Sequence, residues 1–174
     1  MTSVRFPVGR FAAQPPIGSG ERARLIESLA EVPAKLQRAL AGLDNGQLDT
    51  PYREEGWTLR QVAHHLPDSH VNGYVRFRLA LTEALPTIKP YVEGKWAQLE
   101  DARLADPEVS LRLLEALHER WTMLLKSLPA EQFGRSLNHP EMGVMSIDEV
   151  LQLYEWHGRH HVAHITSLRK QMAW

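Results

Sequence analysis

Histidine is the residue type in this chain whose number and spacing indicate a chemical role. The sequence contains nine, and three of them lie in the segment HHLPDSH (64–70) and four in HGRHHVAH (157–164). Imidazole is a common ligand of zinc and related transition metals, and two histidines four positions apart on a helix can reach the same ion. The two clusters therefore indicate either a metal site or a buried network of imidazoles.

The second cluster belongs to a predicted helix near the C-terminal end. With successive residues 100° apart, His161 lies near the centre of its apolar stripe and His157 on the flank. His164 lies nearer the edge, and His160 is predicted to point outward. The helical wheel therefore selects His157 and His161 as the inward i, i+4 pair. The stripe consists of Ile147, Val150, Leu151, Tyr154, Ile165 and Leu168.

The first cluster belongs to another predicted helix and is less decisive. His70 falls within the apolar stripe of that helix, His65 lies at one edge, and His64 is almost opposite. Pro67 removes a backbone donor between them and can rotate the first turns relative to the rest. Geometry alone leaves His65 and His70 both open as a third ligand.

Three explanations of the clusters are possible: a metal site, a structural hydrogen-bond network, and a pH-sensitive cluster without a ligand. Burying several imidazoles in a small protein leaves many polar atoms that need partners. A bound metal satisfies several of them at once, so the sequence favours a metal site.

Composition narrows the function classes. The chain has no cysteine, which excludes disulfides, thiolate zinc sites and a cysteine nucleophile. Its 20 basic and 21 acidic residues give a net charge of -1, so no electrostatic argument favours nucleic acid or an anionic membrane as a partner. No stretch approaches the ~18 apolar residues of a membrane span, and the N-terminal segment is a poor signal peptide. We expect a cytoplasmic protein.

Apolar residues at three- and four-residue spacing predict four long helices that would position the histidines. The first covers 21–43 and is bent or divided at Pro33. The second covers 58–83, the third 107–128, and the fourth runs from 146 to near the C-terminal end. Thr58 is a plausible N-cap, and Ser146 with Glu149 has the capping-box pattern.

The connections predict the architecture. Residues 85–108 are too many for a simple antiparallel loop, so they predict a crossover, with a short helix around 96–99, that lets the second and third helices run parallel. Residues 130–143 are predicted as a loop, and no segment has strand periodicity. We expect an irregular arm over 1–19 and one all-α domain, a four-helix bundle, over 20–174.

Two sequence blocks resemble a known family. GWTLRQVAHHL (56–66) and WHGRHHVAHI (156–165) are similar to the DinB superfamily and, within it, to the YfiT-like metal-dependent hydrolases, and the resemblance extends over nearly the whole chain. It implies an up-down-down-up four-helix bundle, often a homodimer, with zinc or nickel on three histidines. The family pattern places these ligands at His65, His157 and His161, and it places His164 beside them.

The expected chemistry follows from the ligands. Three neutral nitrogen ligands suit zinc or nickel rather than magnesium or calcium, and they leave coordination positions open for water or a small-molecule substrate. A hydrolase of this kind usually adds a carboxylate base. Asp68, one turn after His65, is the candidate, with Glu155 and Glu54 as weaker options; a supporting or solvated role is the alternative for Asp68.

Two other functions remain open at this point. Some relatives of this branch are S-transferases that activate a bacillithiol-type low-molecular-weight thiol, which requires no strong protein base. Arg53, Arg60 and Arg76 could bind a carboxylate of such a thiol, or they could be ordinary surface charges. The third hypothesis is a non-catalytic metal-binding stress-response protein. A fourth protein ligand on the metal would favour it over either enzyme.

Overall fold

Helices make up most of the molecule. The computed structural model describes residues 4–14 and 17–174, so the predicted irregularity at Pro15 and Pro16 lies outside the described residues. The first long segment is divided, and the other three are single helices. In chain order the elements are α1 (Ser19–Ala30), α2 (Val32–Leu40), α3 (Asn45–Leu48), α4 (Leu59–Thr82), α5 (Glu93–Trp96), α6 (Glu100–Leu104), α7 (Pro107–Ser127), a 3-10 helix (Ala130–Gly134), β1 (Ser136–His139), β2 (Gly143–Ser146) and α8 (Ile147–Met172).

The helix boundaries follow from local chemistry. The Thr58 hydroxyl accepts a hydrogen bond from the backbone of Gln61, whose side chain accepts from the Thr58 N–H, so α4 begins with a capping box. Ser146 and Glu149 form the same arrangement at α8. Pro33 cannot donate to the preceding turn, which explains why the first segment divides at residue 31.

Contacts between helices define the direction of each one. His64 on α4 lies 2.7 Å from Ser110 on α7, and further along both helices His70 lies 2.8 Å from His118, so α4 and α7 run parallel. The connection from 83 to 106 must therefore return along the bundle. It carries α5 and α6 in place of the single short helix predicted around 96–99.

The other two segments are also parallel to each other. Arg22 on α1 forms an ion pair with Asp148 at the start of α8, at 2.7 Å, and Arg169 near the end of α8 donates to the Ala39 carbonyl of α2. Together with the α4 and α7 pair, which runs the opposite way, this gives the predicted up-down-down-up order. The four-helix bundle fold is confirmed.

The segment between α7 and α8 differs from the prediction. It contains the 3-10 helix and a hairpin in which β1 and β2 pair antiparallel, from Ser136 with Ser146 to His139 with Gly143. The prediction of a loop over 130–143 without strands is therefore wrong. Strands of four residues are too short for a convincing alternation, and they are held by burial of Leu137 in the core.

The core is divided into two apolar clusters along the bundle axis. One contains Phe77, Trp121 and Leu151, and the other contains Leu66, Leu114 and Ile165. Along α4, α7 and α8, the positions between these clusters are occupied by histidines: His70 on α4, His118 on α7, and His157, His160, His161 and His164 on α8. The bundle therefore contains a polar layer enclosed by apolar packing. None of the described helices is both long enough and apolar enough to cross a membrane.

Gly73 allows α4 to approach α7 and α8 closely. A Cβ atom at this position would lie 2.5 Å from the Tyr154 ring and 2.8 Å from the Trp121 ring. We expect Gly73→Ala to reduce the free energy of unfolding by about 1–3 kcal/mol, because overpacking outweighs the better helix propensity of alanine. Urea unfolding, with circular dichroism as the signal, measures this change in the free energy of unfolding. Gly20→Ala on α1, where a Cβ meets no atom within 4 Å, is the control; equal stability of Gly73→Ala and wild type would contradict the close packing.

Candidate metal centre

The structure brings the three predicted ligands together. One ring nitrogen from each of His65, His157 and His161 lies within 4.8 Å of the other two. The Nε2 atoms of His65 and His157 are 3.2 Å apart. Two nitrogen ligands on a tetrahedral ion with bonds of about 2.0–2.1 Å are separated by roughly 3.3 Å. The spacing of this pair therefore fits a shared divalent ion.

The three rings are in the protonation state that a metal requires. Burial, followed by the neighbouring His160 and His164, lowers the pKa of His65 to about 4. Burial, followed by repulsion from nearby imidazoles, also lowers the pKa of His157 and His161 well below the usual value. Neutral imidazole nitrogens bind metal without first losing a proton, so the site is preorganised at neutral pH.

His164 lies beside the ligand group and outside it. Its Nδ1 is 3.4 Å from Nδ1 of His161, and its Nε2 is 3.3 Å from the Arg5 carbonyl. Because a carbonyl can only accept, neutral His164 donates from Nε2 and accepts at Nδ1. His161 then carries its proton on Nδ1, which leaves its Nε2 free to bind an ion.

His70, which the helical wheel left open as a ligand, lies behind His157. Its ring is completely buried, and its Nε2 is 3.1 Å from Nδ1 of His157, on the side of the His157 ring opposite the Nε2 that faces His65. The group of potential ligands contains His65 and not His70. Geometry and family pattern thus point to the same residue.

The N-terminal arm covers one side of α8, and this overturns the prediction for His160. Trp156 donates from Nε1 to the Gly9 carbonyl at 3.2 Å, and the Phe6 ring lies 6.0 Å from the His160 ring. His160 is only 7% exposed. The prediction that it points outward is wrong, because a helical wheel cannot include cover supplied by a distant irregular segment.

The face of α4 opposite its apolar stripe is also buried by other parts of the protein. His64 is buried, bonded to Ser110 and to the Ala105 carbonyl. Arg60 is buried as well, with its guanidinium 2.7 Å from the Asp49 carboxylate. Arg60 is therefore neither a surface charge nor available to a cofactor, since it is also bonded to Asn45 of α3 and to the Ala105 carbonyl of the crossover.

A cavity of ≈ 400 Å³ opens over the histidines. A tight turn before α4 forms part of its wall: Glu55 has a left-handed backbone (φ 55°), and a Cβ at Gly56 would lie 2.7 Å from Cγ of Arg53. The turn places Trp57 with its ring 4.7 Å from the His65 ring. The lining consists of Arg5, Phe6, Tyr52, Arg53, Glu55, Gly56, Trp57, His65, Glu93, Trp156, His157, His160, His161 and His164.

None of the three carboxylates predicted as a base lines this cavity. Asp68 is half-buried elsewhere on α4, where burial and Asp101 raise its pKa to about 6. Glu155 is bound by Ser28 and Arg159, and Glu54 is exposed to solvent. The structure therefore separates these groups from the space above the histidines.

Two carboxylates that sequence reasoning missed do line the cavity, Glu55 and Glu93. Partial desolvation, followed by the nearby Glu141, raises the pKa of Glu93 above its usual value. Glu55 belongs to the turn before α4 and Glu93 to the crossover between α4 and α7. No spacing in the sequence relates either to the histidines, so their position depends entirely on tertiary structure.

Comparison with known sequences gives consistent matches. The DinB superfamily matches residues 28–165. Proteins from Bacillus cereus and from Bacillus thuringiensis subsp. konkukian, both named "putative metal-dependent hydrolase", are 51% identical over 174 residues, covering 100% of this chain and 100% of each relative. The family resemblance predicted from the sequence is confirmed.

Solved structures agree with the fold. YfiT from Bacillus subtilis, described as "a probable metal-dependent hydrolase with an unusual four-helix bundle topology", superimposes with a TM-score of 0.96 at 47% identity, covering 98% of both chains. The four-helix bundle protein TT2238 superimposes with a TM-score of 0.56 at 18% identity, covering 88% of this chain and 99% of that one. The second likeness concerns the fold alone.

Proposed function

Since this chain belongs to the DinB superfamily, we propose that it is a metal-dependent hydrolase whose single divalent ion is held by His65, His157 and His161. The observation that carries the proposal is the convergence of three neutral ring nitrogens at a cavity large enough for a small molecule. Within residues 4–14 and 17–174, no fourth ligand-type side chain joins this group. An open coordination position is typical of catalytic rather than structural sites.

The donor set supports zinc or nickel. All three donors are imidazole nitrogens, which bind borderline metals and not the oxygen-seeking magnesium and calcium ions. When bound, such an ion lowers the pKa of water toward neutrality and so supplies the nucleophile for hydrolysis. The protein residues around it bind the substrate and handle protons.

Glu55 and Glu93 are our candidates for proton transfer in the cavity. They are the carboxylates among the lining residues, and the raised pKa of Glu93 brings it closer to the working pH of a general base. Trp57 and Tyr52 provide aromatic walls beside His65 and His164. These walls suit a small substrate with an apolar part.

The thiol transferase receives less support. Of the three arginines considered for binding a thiol carboxylate, Arg53 lines the cavity, Arg60 is buried in its ion pair, and Arg76 donates to the Tyr154 hydroxyl outside the cavity. Arg5 also lines the cavity, and Arg53 is partly engaged by the Glu54 carbonyl, so the three arginines predicted for a thiol do not assemble there. The hydrolase is therefore the function that we propose.

Homodimer formation stays a prediction, which light scattering can measure.

Elemental analysis and a reconstitution assay test the function. We expect about one zinc or nickel per chain, and hydrolysis of activated esters, amides or phosphoesters by metal-loaded protein but not by apo protein. Glu93→Gln should lower kcat by about 100-fold or more with metal content unchanged, whereas Glu100→Gln, exposed in the same crossover, should match wild type.

The contrary outcomes are equally specific. Equal turnover by apo and metal-loaded protein would exclude metal-dependent hydrolysis. Turnover of a chlorinated aromatic only when a small thiol is added would instead establish the transferase. Metal binding with four protein ligands and no turnover would identify a non-catalytic metal-binding protein.

A further inference from the structure

Two buried histidines outside the ligand group form a hydrogen-bonded chain behind His157. The Nε2 atom of His70 lies 3.1 Å from Nδ1 of His157, and Nδ1 of His70 lies 2.8 Å from Nε2 of His118. The chain ends where Nδ1 of His118 lies 2.8 Å from the Leu29 carbonyl. His70 is 0% exposed and His118 is 2% exposed, so water cannot easily substitute for these partners.

The Leu29 carbonyl determines the direction of every bond in the chain. It can only accept, so His118 donates from Nδ1 and, being neutral, accepts at Nε2. His70 must then donate from Nδ1 and accept at Nε2. His157 in turn donates from Nδ1, which leaves its Nε2 unprotonated on the side that faces His65.

The break in the first helical segment leaves this carbonyl available. In an uninterrupted helix the Leu29 carbonyl would accept from the N–H of residue 33. That residue is Pro33, which has no N–H, and α1 ends at Ala30. The proline that divides α1 from α2 therefore also frees the acceptor on which the histidine chain ends.

We propose that His70 and His118 are positioning residues, which hold His157 in its Nδ1–H tautomer and so keep its Nε2 lone pair directed at the metal position. The inference rests on the proposed function, in that it takes His157 as a ligand. Metal-binding histidines are commonly oriented by a carboxylate or carbonyl on their second nitrogen. Here the orienting carbonyl belongs to another helix and acts through two intervening imidazoles.

Burial supports the assignment because it keeps the chain neutral. Both rings are buried, and burial lowers the pKa of His118 to about 4. Each ring therefore carries one proton at neutral pH. Reversing any single bond in the chain would place two protons, or none, between a pair of nitrogens about 3 Å apart.

Nitrogen-15 NMR of the imidazoles in the apo protein tests the tautomer directly. We expect His157 of wild type to be Nδ1–H. In His118→Phe, His70 loses its acceptor, and we expect the His157 signal to shift toward Nε2–H. His118→Gln, whose amide can both donate and accept, should restore the wild-type tautomer at least in part. Thr122→Val, one turn further on α7 and bonded only to backbone carbonyls, is the control that should leave it unchanged.

Competition for zinc with a chromophoric chelator gives a second readout. Loss of an orienting partner typically weakens metal binding by about 10- to 100-fold. We expect that loss in His118→Phe, partial recovery in His118→Gln, and wild-type affinity in Thr122→Val.

The outcomes separate this inference from the proposed function. A wild-type His157 that is Nε2–H overturns the inference, as does a folded His118→Phe with unchanged tautomer and unchanged zinc affinity. If His118→Phe does not fold, the wild-type and His118→Gln spectra decide it. If wild type binds no zinc, the metal function fails, while the tautomer of the apo protein still decides whether the chain acts as proposed.

Discussion

His161→Ala is expected to lose stoichiometric metal binding. The substitution removes one of the three proposed nitrogen ligands, and the neighbouring His164 is already bonded to the Arg5 carbonyl. Removal of a partner that only orients a ligand costs about 10- to 100-fold in metal affinity. Loss of the ligand itself should cost more, so we expect a fall of at least about 100-fold.

The helical fold should persist in this variant. His161 contributes a polar ring between the two apolar clusters and does not belong to either. His139→Ala is the matched control, since His139 is also a buried histidine but lies in the hairpin and outside the cavity. Dialysis against zinc followed by elemental analysis, with circular dichroism to verify folding, measures the difference. Full metal retention in His161→Ala would exclude this residue as a ligand.

The apo protein is expected to lose stability steeply as the pH falls below about 6.5. Burial lowers the pKa of His118 to about 4, while a histidine of the unfolded chain titrates near 6.5. Between these values the unfolded chain binds the proton and the folded chain does not. The stabilisation is therefore complete above about pH 6.5 and is lost as the pH falls toward 4.

The size of the effect follows from the number of such rings. One pKa unit corresponds to about 1.4 kcal/mol, so His118 alone accounts for a loss of about 2 kcal/mol at pH 5, rising to about 3.5 kcal/mol below pH 4. Burial also lowers the pKa of His70, His160 and His164, whereas the raised pKa of Asp68 acts in the opposite direction. These rings add to the loss in the same direction as His118. We therefore expect the apo protein to unfold at mildly acidic pH.

Urea unfolding in the presence of a chelator, at several pH values from 7.5 to 5, measures this loss. Saturating zinc should raise the urea midpoint and displace the acid transition to lower pH, because an ion that binds only the folded state stabilises it. Burial lowers the pKa of His139 too, so the His139→Ala variant should lose only the contribution of that one ring and retain most of the pH dependence. A midpoint that stays constant over this pH range would show that the buried rings are not kept neutral by the fold.

Many helix boundaries of this protein, and the spacing of one histidine pair, are determined by interactions between residues that are close in the sequence. The capping boxes at Thr58 and Ser146 define where two long helices begin, and Pro33 divides the first segment, because each acts on backbone groups within one turn. The i, i+4 spacing of His157 and His161 likewise requires only helical geometry. His65 needed the family resemblance, since the wheel alone could not separate it from His70.

Other features were decided only by tertiary structure, because they join segments that are distant in the sequence. The arm buries His160, the turn before α4 and the crossover place Glu55 and Glu93 over the histidines, and the hairpin is held by core packing. The hydrogen-bonded chain from Leu29 through His118 and His70 to His157 connects all four helical segments of the bundle. Periodicity reports which face of a helix is apolar, and it carries no information about which distant polar group lies against that face. The sequence by itself therefore determined the long helices and the i, i+4 histidine pair that we propose as ligands, and packing determined what surrounds and orients that pair.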